Sequence, residues 1–570
     1  MLVYVFEARG IQRYLLSSGK LKDAVAASER LERLIDDDNT SLLAQVLQQW
    51  QQRQPDLSHD LFLPEVSSSP TLRFIRCKGG AFYVCSHDHH ALTTLRSLWT
   101  LTVQQAFPGL RYAEGLGEGE TLSEALQQAH QRAAGHYQLP TVPLPLAFAP
   151  CASAPRTGLP VCAIDSATQE ELDLDVMRHR SAHPLPRHGQ KNAPAQQDGR
   201  KSGLLQKFTT TPDNRSFCSQ TLNFPLDTDD FPAFAQPEAT RDLALIHLDG
   251  NGIGQVLRGL RDALAGADDG RLIADFREFS TRLAQATRQS ACIATQWLYQ
   301  QQLSQQPLSQ QQQGNEPPTM LAIRPLVLGG DDITLLCQAD LALGFARQFC
   351  LAFRQQTQLT LHTLHQSYPS LGLDKLSASG GVLFHKSHHP FVLCHQQVES
   401  LCQEAKHLSK QHNNQAALAF YRLNQALTDH MSQLRQHSQS WRRADSALSG
   451  SLGAYWITDD ERKPQLAHLQ ALVEFLRQPD GALTIGKLRQ MAHLLDKGDS
   501  HEAERLYQRA ISLLSGAQKV QWEQHLTNLM GETGKTNWYQ QTAPQQAQTF
   551  LADALIYASQ HPDNGACHAS

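Results

Sequence analysis

Three aspartates stand where side chains can do chemistry. Asp249 ends the apolar run DLALIHL and is followed by Gly250, Asn251 and Gly252. Asp331 and Asp332 follow Gly329 and Gly330 between two further apolar runs, in LVLGGDDITLL. Glycines just past a strand end let the backbone approach a phosphate closely, and the start of the next helix favours anions. Two consecutive carboxylates on a Gly-Gly turn repel each other unless a cation neutralises them. A third carboxylate from a neighbouring strand end completes an oxygen cage suited to Mg²⁺ or Mn²⁺. Two such ions activate a 3′-hydroxyl and stabilise a pyrophosphate leaving group during in-line displacement. The plain alternative is a pair of surface turns, since Asp and Gly are the commonest turn residues. Each motif follows a buried-looking strand in the order a palm requires, and this favours the cage.

The elements that must position these acids are legible as a repeat. The start reads as a strand, Leu2 to Phe6, a turn at Gly10 and an amphipathic helix through KLKDAVAASERLERLI. TLRFIRCKGGAFYVC then reads as two strands joined at Gly79–Gly80, the pattern of a hairpin. A helix over 88–106, a strand near 110–116 and a helix over 122–136 follow. From 242 the pattern returns: strand, turn, a long helix over about 271–303, then a hairpin at the second Gly-Gly. A helix over 339–358, the apolar run SASGGVLFH and a helix from Phe391 to about His412 close the second copy. Two copies of one topology in one chain is the organising inference. The expected fold class is α+β: two ferredoxin-like palm domains, a connector and a C-terminal helical domain. Boundaries fall at 1–140 for the first palm, 141–240 for the connector, 241–412 for the second palm and 413–570 for the helical domain. The first palm has Gly79, Gly80, Ala81 and Phe82 where acids would be, so it is read as degenerate and the second as catalytic.

Composition narrows the function classes. At 570 residues the chain is long enough for two to four domains, and 41% hydrophobic with 18% charged residues fits a folded protein. A formal charge of −5 gives no overall attraction to nucleic acid. The 11 cysteines are scattered without a CxxC pair, as in a reducing compartment. No apolar stretch is long enough to span a bilayer, and the start lacks the features of a signal peptide. A cytoplasmic protein without membrane contact is expected.

LDGNGIG, LVLGGDDITLL and SASGGVLFHKSHHPF, followed by a helix with EAK, resemble the catalytic palm of the large polymerase/cyclase subunit of type III CRISPR effector complexes. That palm is a relative of the GGDEF nucleotidyl cyclases. ARGIQRYLLSSGKLKDAVAASERLERL is similar to the family's first palm, and SLGAYWITDDERKPQLAHLQALVEFL to the segment opening its C-terminal helical domain. The resemblance implies that Asp249 and Asp332 bridge two Mg²⁺ (or Mn²⁺) ions and that Asp331 joins them. It implies that Gly329 and Gly330 shape the hairpin and Gly250 and Asn251 line the nucleotide. Lys406 matches the lysine that meets the phosphates, with a solvated helix lysine as the alternative. Ser379, Gly380 and Gly381 match small residues beside the nucleotide, with packed strand residues as the alternative. Where the family often carries a second acid two residues after the first, this chain has Asn251, and a backbone carbonyl is expected to supply the missing ligand.

The implied function is an oligoadenylate synthase using ATP or another NTP, with guide RNA and small protein subunits as partners. Two other readings stay open: a standalone cyclic dinucleotide synthase, and a non-catalytic nucleotide-binding scaffold. His87–Asp88 reads as a helix start rather than part of a metal phosphohydrolase. Cys151, Cys162 and Cys218 do not supply the four clustered ligands zinc takes, so zinc is not expected. His362/His365 are read on a helix face and His388/His389 in a loop. The bases Arg178, Arg180, Arg187, Lys191, Arg200 and Lys201 are read as a solvated linker, with RNA or a partner subunit as the alternative contact.

Overall fold

The computed structural model describes residues 1–36, 40–61, 70–137, 152–166, 168–182, 203–211, 216–218, 222–232, 242–305, 320–424, 430–443, 446–457, 461–478, 481–532 and 537–560. Its first unit runs β1 (Leu2–Arg9), α1 (Ile11–Leu15), α2 (Leu21–Glu32), α3 (Leu42–Arg53), β2 (Arg73–Lys78), β3 (Ala81–Ser86), α4 (His89–Ala106), β4 (Arg111–Glu118) and α5 (Leu122–Tyr137). The sheet order is β2-β3-β1-β4, and every pair is antiparallel. That is the ferredoxin-like order expected from the strand–helix pattern. Asp88 starts α4 by accepting the backbone N–H groups of His90 and Ala91 at 2.8 and 3.1 Å. A cap of this kind contributes about 1 kcal/mol to a helix.

The connector contributes β5 (Val161–Ile164), β6 (Glu171–Asp173), α6 (Leu174–Ala182) and α7 (Gly203–Thr209). The linker reading fails for Arg180. Its guanidinium donates to Asp23 of α2, to Asp165 and to Glu170, clamping the connector onto the first palm. Arg187, Lys191, Arg200 and Lys201 lie outside the described residues.

The second unit repeats the first: β7 (Asp242–Gly250), α8 (Ile253–Ala263), α9 (Asp269–Ser304), β8 (Ile323–Leu328), β9 (Asp332–Gln338), α10 (Ala339–Thr360), α11 (His362–Ser367), β10 (Ala378–Lys386) and α12 (Phe391–Gln411). Beyond it come β11 (Ala417–Arg422), α13 (Met431–Ser438), β12 (Ser440–Arg443), β13 (Ser446–Ser449), β14 (Ala454–Trp456), α14 (Leu466–Leu476), α15 (Ile485–Asp496), α16 (Ser500–Ser512), α17 (Gly516–Met530), β15 (Gln540–Ala543), β16 (Gln546–Gln548) and α18 (Leu551–Gln560). The large sheet has the order β14-β11-β10-β7-β9-β8. Its last four strands reproduce β4-β1-β3-β2 of the first unit.

The region after 412 departs from the sequence reading. β11 joins β10 in parallel and β14 pairs with β11, so the second palm's sheet draws two strands from the segment read as helical. A further sheet, β12-β13-β16-β15, sits among the C-terminal helices. These strands are three to six residues long and most lack an alternating apolar pattern, which is why periodicity did not reveal them.

Strand β7 lies at the centre of the large sheet with apolar residues on both faces. Ala244, Ile246 and Leu248 pack into the cluster that includes Phe345 and Phe349 of α10. Leu243 and Leu245 pack into another with Val398 and Leu401 of α12. Side chains alternate along a strand, so Asp249 continues the row that faces α12. On α12, Phe391, Cys394, Val398, Leu401, Cys402 and Ala405 recur at three- and four-residue spacing and are buried. Burying a large apolar side chain is worth about 1.5–3 kcal/mol, so this stripe holds α12 firmly across the sheet. Among the described residues no helix is long and apolar enough to cross a membrane.

Candidate active site

The register of β7 and β9 sets Asp249 directly opposite Asp332. Facing residues on neighbouring antiparallel strands have Cβ atoms about 4.5–5.5 Å apart. Asp331 comes one residue earlier, and its carbonyl accepts the Gly250 N–H at 3.0 Å. A Cβ on Gly250 would lie 3.0 Å from Asp331 Oδ2, so that carboxylate rests alongside Gly250. A Cβ on Gly329 would lie 1.7 Å from Asp332 Oδ1, which leaves room only for glycine there. The hairpin is fixed from behind by Thr287 of α9, whose hydroxyl donates to the Gly330 carbonyl at 2.8 Å. Three acids separated in sequence thus occupy adjacent positions on two strand ends.

Each acid has its own neighbour. Lys406, at the end of the buried stripe of α12, donates to Asp249 Oδ2 and, at 3.3 Å, to the Gly250 carbonyl. Gln12, from α1 of the first palm, donates its amide to Asp332 Oδ2 at 2.8 Å. Burial, with Asp249 and Asp332 close by, pushes Asp331 well above the usual carboxylate range, although Arg76 and Lys406 act against it. Burial and Asp249 push Asp332 up to about 7, against its backbone hydrogen bond, Lys406 and Gln12. Burial works to lower Lys406, but the pairing with Asp249 outweighs it and holds the ammonium charged.

Burial is the larger cause of both upward shifts, and the neighbouring carboxylates add to it. Among the described residues no three His, Cys, Asp or Glu side chains are arranged as a finished metal cage. The side chains explain this: Asp249 is drawn to Lys406, and Asp331 rests on Gly250. In donor chemistry and backbone placement the trio fits hard divalent cations, which prefer oxygen ligands and would relieve the repulsion.

The remaining residues expected at the site divide. Asn251 is buried, and its side-chain amide donates to the hydroxyls of Ser377 and Ser379 at 2.7 and 2.8 Å. Ser379 is fully buried and also accepts the Ala417 N–H at 2.9 Å, tying β10 to β11. A Cβ on Gly380 would lie 2.1 Å from the His247 carbonyl, and one on Gly381 would lie 2.5 Å from the Val398 carbonyl. These three residues are closely packed strand positions, in keeping with the alternative weighed in the sequence. His247, two residues before Asp249, is buried against Thr334 at 3.0 Å, and burial lowers its basicity.

The first palm's hairpin meets the second's. Gly79 and Gly80 form its two-residue turn with φ of 64° and 73°, a conformation that favours glycine. A Cβ on Gly79 would lie 3.2 Å from the Gly330 nitrogen, so the two hairpin tips touch. Glu7 stands opposite Ala81 as Asp249 stands opposite Asp332. It accepts from the Tyr83 hydroxyl at 2.6 Å and from Arg9. Arg76 lies over the Tyr83 ring at 5.5 Å, and burial, which would lower it, is outweighed by Tyr83, Glu7 and Asp331. A cleft of about 750 Å³ opens beside the touching tips, lined by Gln12, Gly79, Gly80, Gly330 and Asp332 and by residues of α2 and α9. That lies within the range of about 300–1,000 Å³ usual for small-molecule sites.

Residues 242–417 match the family model of the Cas10/Cmr2 second palm domain. The match covers the resemblance read from 242–410 and contains Asp249, Asp331, Asp332 and Lys406. Among solved structures, a Csm1–Csm4 cassette in complex with cA4 is 12% identical over 97% of this chain and 69% of its own, with TM-score 0.47. A Csm1–Csm4 cassette with cA3 is 13% identical over 98% and 69%, with TM-score 0.47. Csm1 in T. onnurineus is 13% identical over 98% and 69%, with TM-score 0.44. No curated protein matches the chain significantly.

Beyond the Cas10/Cmr2-like palm, the other motifs take ordinary places. His362 and His365 lie on α11 and His388 and His389 in the turn after β10. Cys151 is outside the described residues, Cys162 is exposed on β5, and Cys218 lies 3.5 Å from the Tyr299 hydroxyl. The sequence reading missed Gln12 and Arg76. Both belong to the other palm, and only the match between the two hairpins, Gly79–Gly80 and Gly329–Gly330, hinted that these tips would meet.

Proposed function

We propose that this chain is the large subunit of a type III CRISPR-like antiviral complex. In this reading its second palm is a divalent-metal-dependent nucleotidyltransferase that joins ATP into cyclic or linear oligoadenylate. The observation that carries the transfer chemistry is the cross-strand pairing of Asp249 with Asp332, with Asp331 beside them. The choice of adenine nucleotide and the RNA-guided setting rest on the family likeness of the second palm. Guide RNA and small protein subunits are the partners this reading expects.

Asp249 and Asp332 would hold the ions jointly and Asp331 would add a further oxygen. When bound, two Mg²⁺ or Mn²⁺ ions supply a lowered hydroxyl pKa and charge neutralisation on the leaving pyrophosphate. The chain's own groups do the rest. Lys406, which reaches Asp249 and the Gly250 carbonyl from α12, would hold a phosphate oxygen of the nucleotide. Gly250 and Gly329, which carry no side chain, leave the acids accessible. The cleft beside the hairpins is roomy enough to hold one nucleotide beside Asp332.

The test is to incubate the pure protein with each NTP and Mg²⁺, with and without RNA, and to follow pyrophosphate release and product mass. ATP is expected to yield pyrophosphate and adenylates linked through their phosphates. Silence with all four nucleotides in every condition overturns the reading.

A further inference from the structure

The first palm lacks the acid pair, yet it reaches into the second palm's site. We infer that Gln12 is a positioning residue for Asp332, so that the first palm completes the carboxylate site of the second. This rests on the metal-site reading above.

Three observations carry it. Gln12 donates to one oxygen only, Oδ2 of Asp332, at 2.8 Å across an interface between segments 320 residues apart. A carboxylate gripped at one oxygen presents the other, Oδ1, in a fixed direction. The amide is itself held in place: α1 begins at Gly10 with φ of 61°, the Ala8 N–H donates to the Gly80 carbonyl at 2.9 Å, and Ile11 lies against Gly80. Gln12 therefore moves with the first palm's hairpin. That hairpin abuts the Gly330 turn because Gly79 has no side chain to hold them apart.

The pattern has a chemical rationale. Carboxylates that bind metal are commonly oriented by a hydrogen-bond donor behind them, and loss of such a partner weakens metal binding or activity by about 10–100-fold. An amide is suited to the task. It donates without adding charge, so it orients Asp332 without competing with a cation as a lysine would. The glycines at the first hairpin then have a use: they let one palm dock closely enough for its amide to meet the other's acid.

The experiment uses the full chain, Mn²⁺ and a non-hydrolysable ATP analogue, with bound Mn²⁺ counted by electron paramagnetic resonance. Gln12→Met keeps the side chain's length and removes the donor. Its Mn²⁺ affinity is expected to fall about tenfold or more while its melting temperature stays near the parent's. Gln12→Asn keeps the amide but draws it back by one methylene, and a smaller fall of about threefold is expected; it carries the test if the Met variant does not fold. Parental affinity in the folded variant overturns the assignment while leaving the metal site standing. Absence of Mn²⁺ binding in the parent chain, under conditions where the analogue binds, overturns the metal-site reading and this inference with it.

Discussion

The two palms share a strand order and differ in a handful of side chains. In the first, Glu7 stands alone opposite Ala81 and is satisfied by Tyr83 and Arg9, with Arg76 close by. In the second, Asp249 faces Asp332 with Asp331 beside them, and both hairpin acids are pushed up in pKa. One copy carries a single acid at this position; the other buries two hairpin acids beside a third, the arrangement for which a bound cation is proposed. The fold is therefore a shared platform, and the proposed chemistry rests on two residues at a hairpin tip and the acid across from them.

The sharpest way to break the comparison is to make the second palm resemble the first. Asp331→Asn combined with Asp332→Asn is expected to lower pyrophosphate release from ATP by about a thousandfold or more. Survival of activity in a folded double variant would detach catalysis from this hairpin. Next comes Lys406→Met, for which a loss of about 100-fold in kcat/KM is expected, measured over a range of ATP concentrations. Retention of parental kcat/KM would leave Lys406 as an ion-pair partner only.

A pH series separates the palms without mutation. A carboxyl whose pKa is raised in the folded state binds its proton more tightly there than in the unfolded chain. Its favourable contribution is therefore greatest at low pH and is lost as pH rises toward the folded value. For Asp332 the window runs from the ordinary carboxylate range up to about 7, and Asp331 acts in the same direction. The metal-free protein should lose melting temperature across that window. Added Mg²⁺ should restore it more at pH 8 than at pH 6, and its affinity should rise about tenfold per pH unit where one proton is displaced. A metal-induced shift that is the same at both pH values would contradict the crowded-acid account. The smallest effect is expected from Glu7→Gln in the first palm, with turnover changed by no more than about threefold. A loss comparable to that of the hairpin variant would make the first palm a chemical partner in its own right.

Much of this was legible in the sequence, for identifiable reasons. DLALIHL and LVLGGDDITLL are apolar runs that abut acids, and the repeat of strand, Gly-Gly turn and strand revealed the four-stranded unit common to both palms. Asp88 read correctly as a helix start because its carboxylate had backbone donors two and three residues away. Longer-range facts stayed hidden. The small residues Ser379, Gly380 and Gly381 read alike whether they line a ligand or admit a neighbouring backbone, and their close packing against the backbone of His247 and Val398 shows only in three dimensions. Arg180 sits at the edge of a polar stretch, and nothing local betrays that Asp23, Asp165 and Glu170 converge on it. Gln12 is invisible for the same reason: its partner lies in the other copy of the fold.

The most direct measurement is a crystal structure of the protein with Mn²⁺ and a non-hydrolysable ATP analogue, with manganese located by its anomalous scattering. The account predicts manganese at about 2.0–2.2 Å from carboxylate oxygens of Asp249 and Asp332, with the analogue's phosphates near Lys406. Bound analogue with no manganese on these acids, or with manganese held elsewhere in the chain, would contradict it.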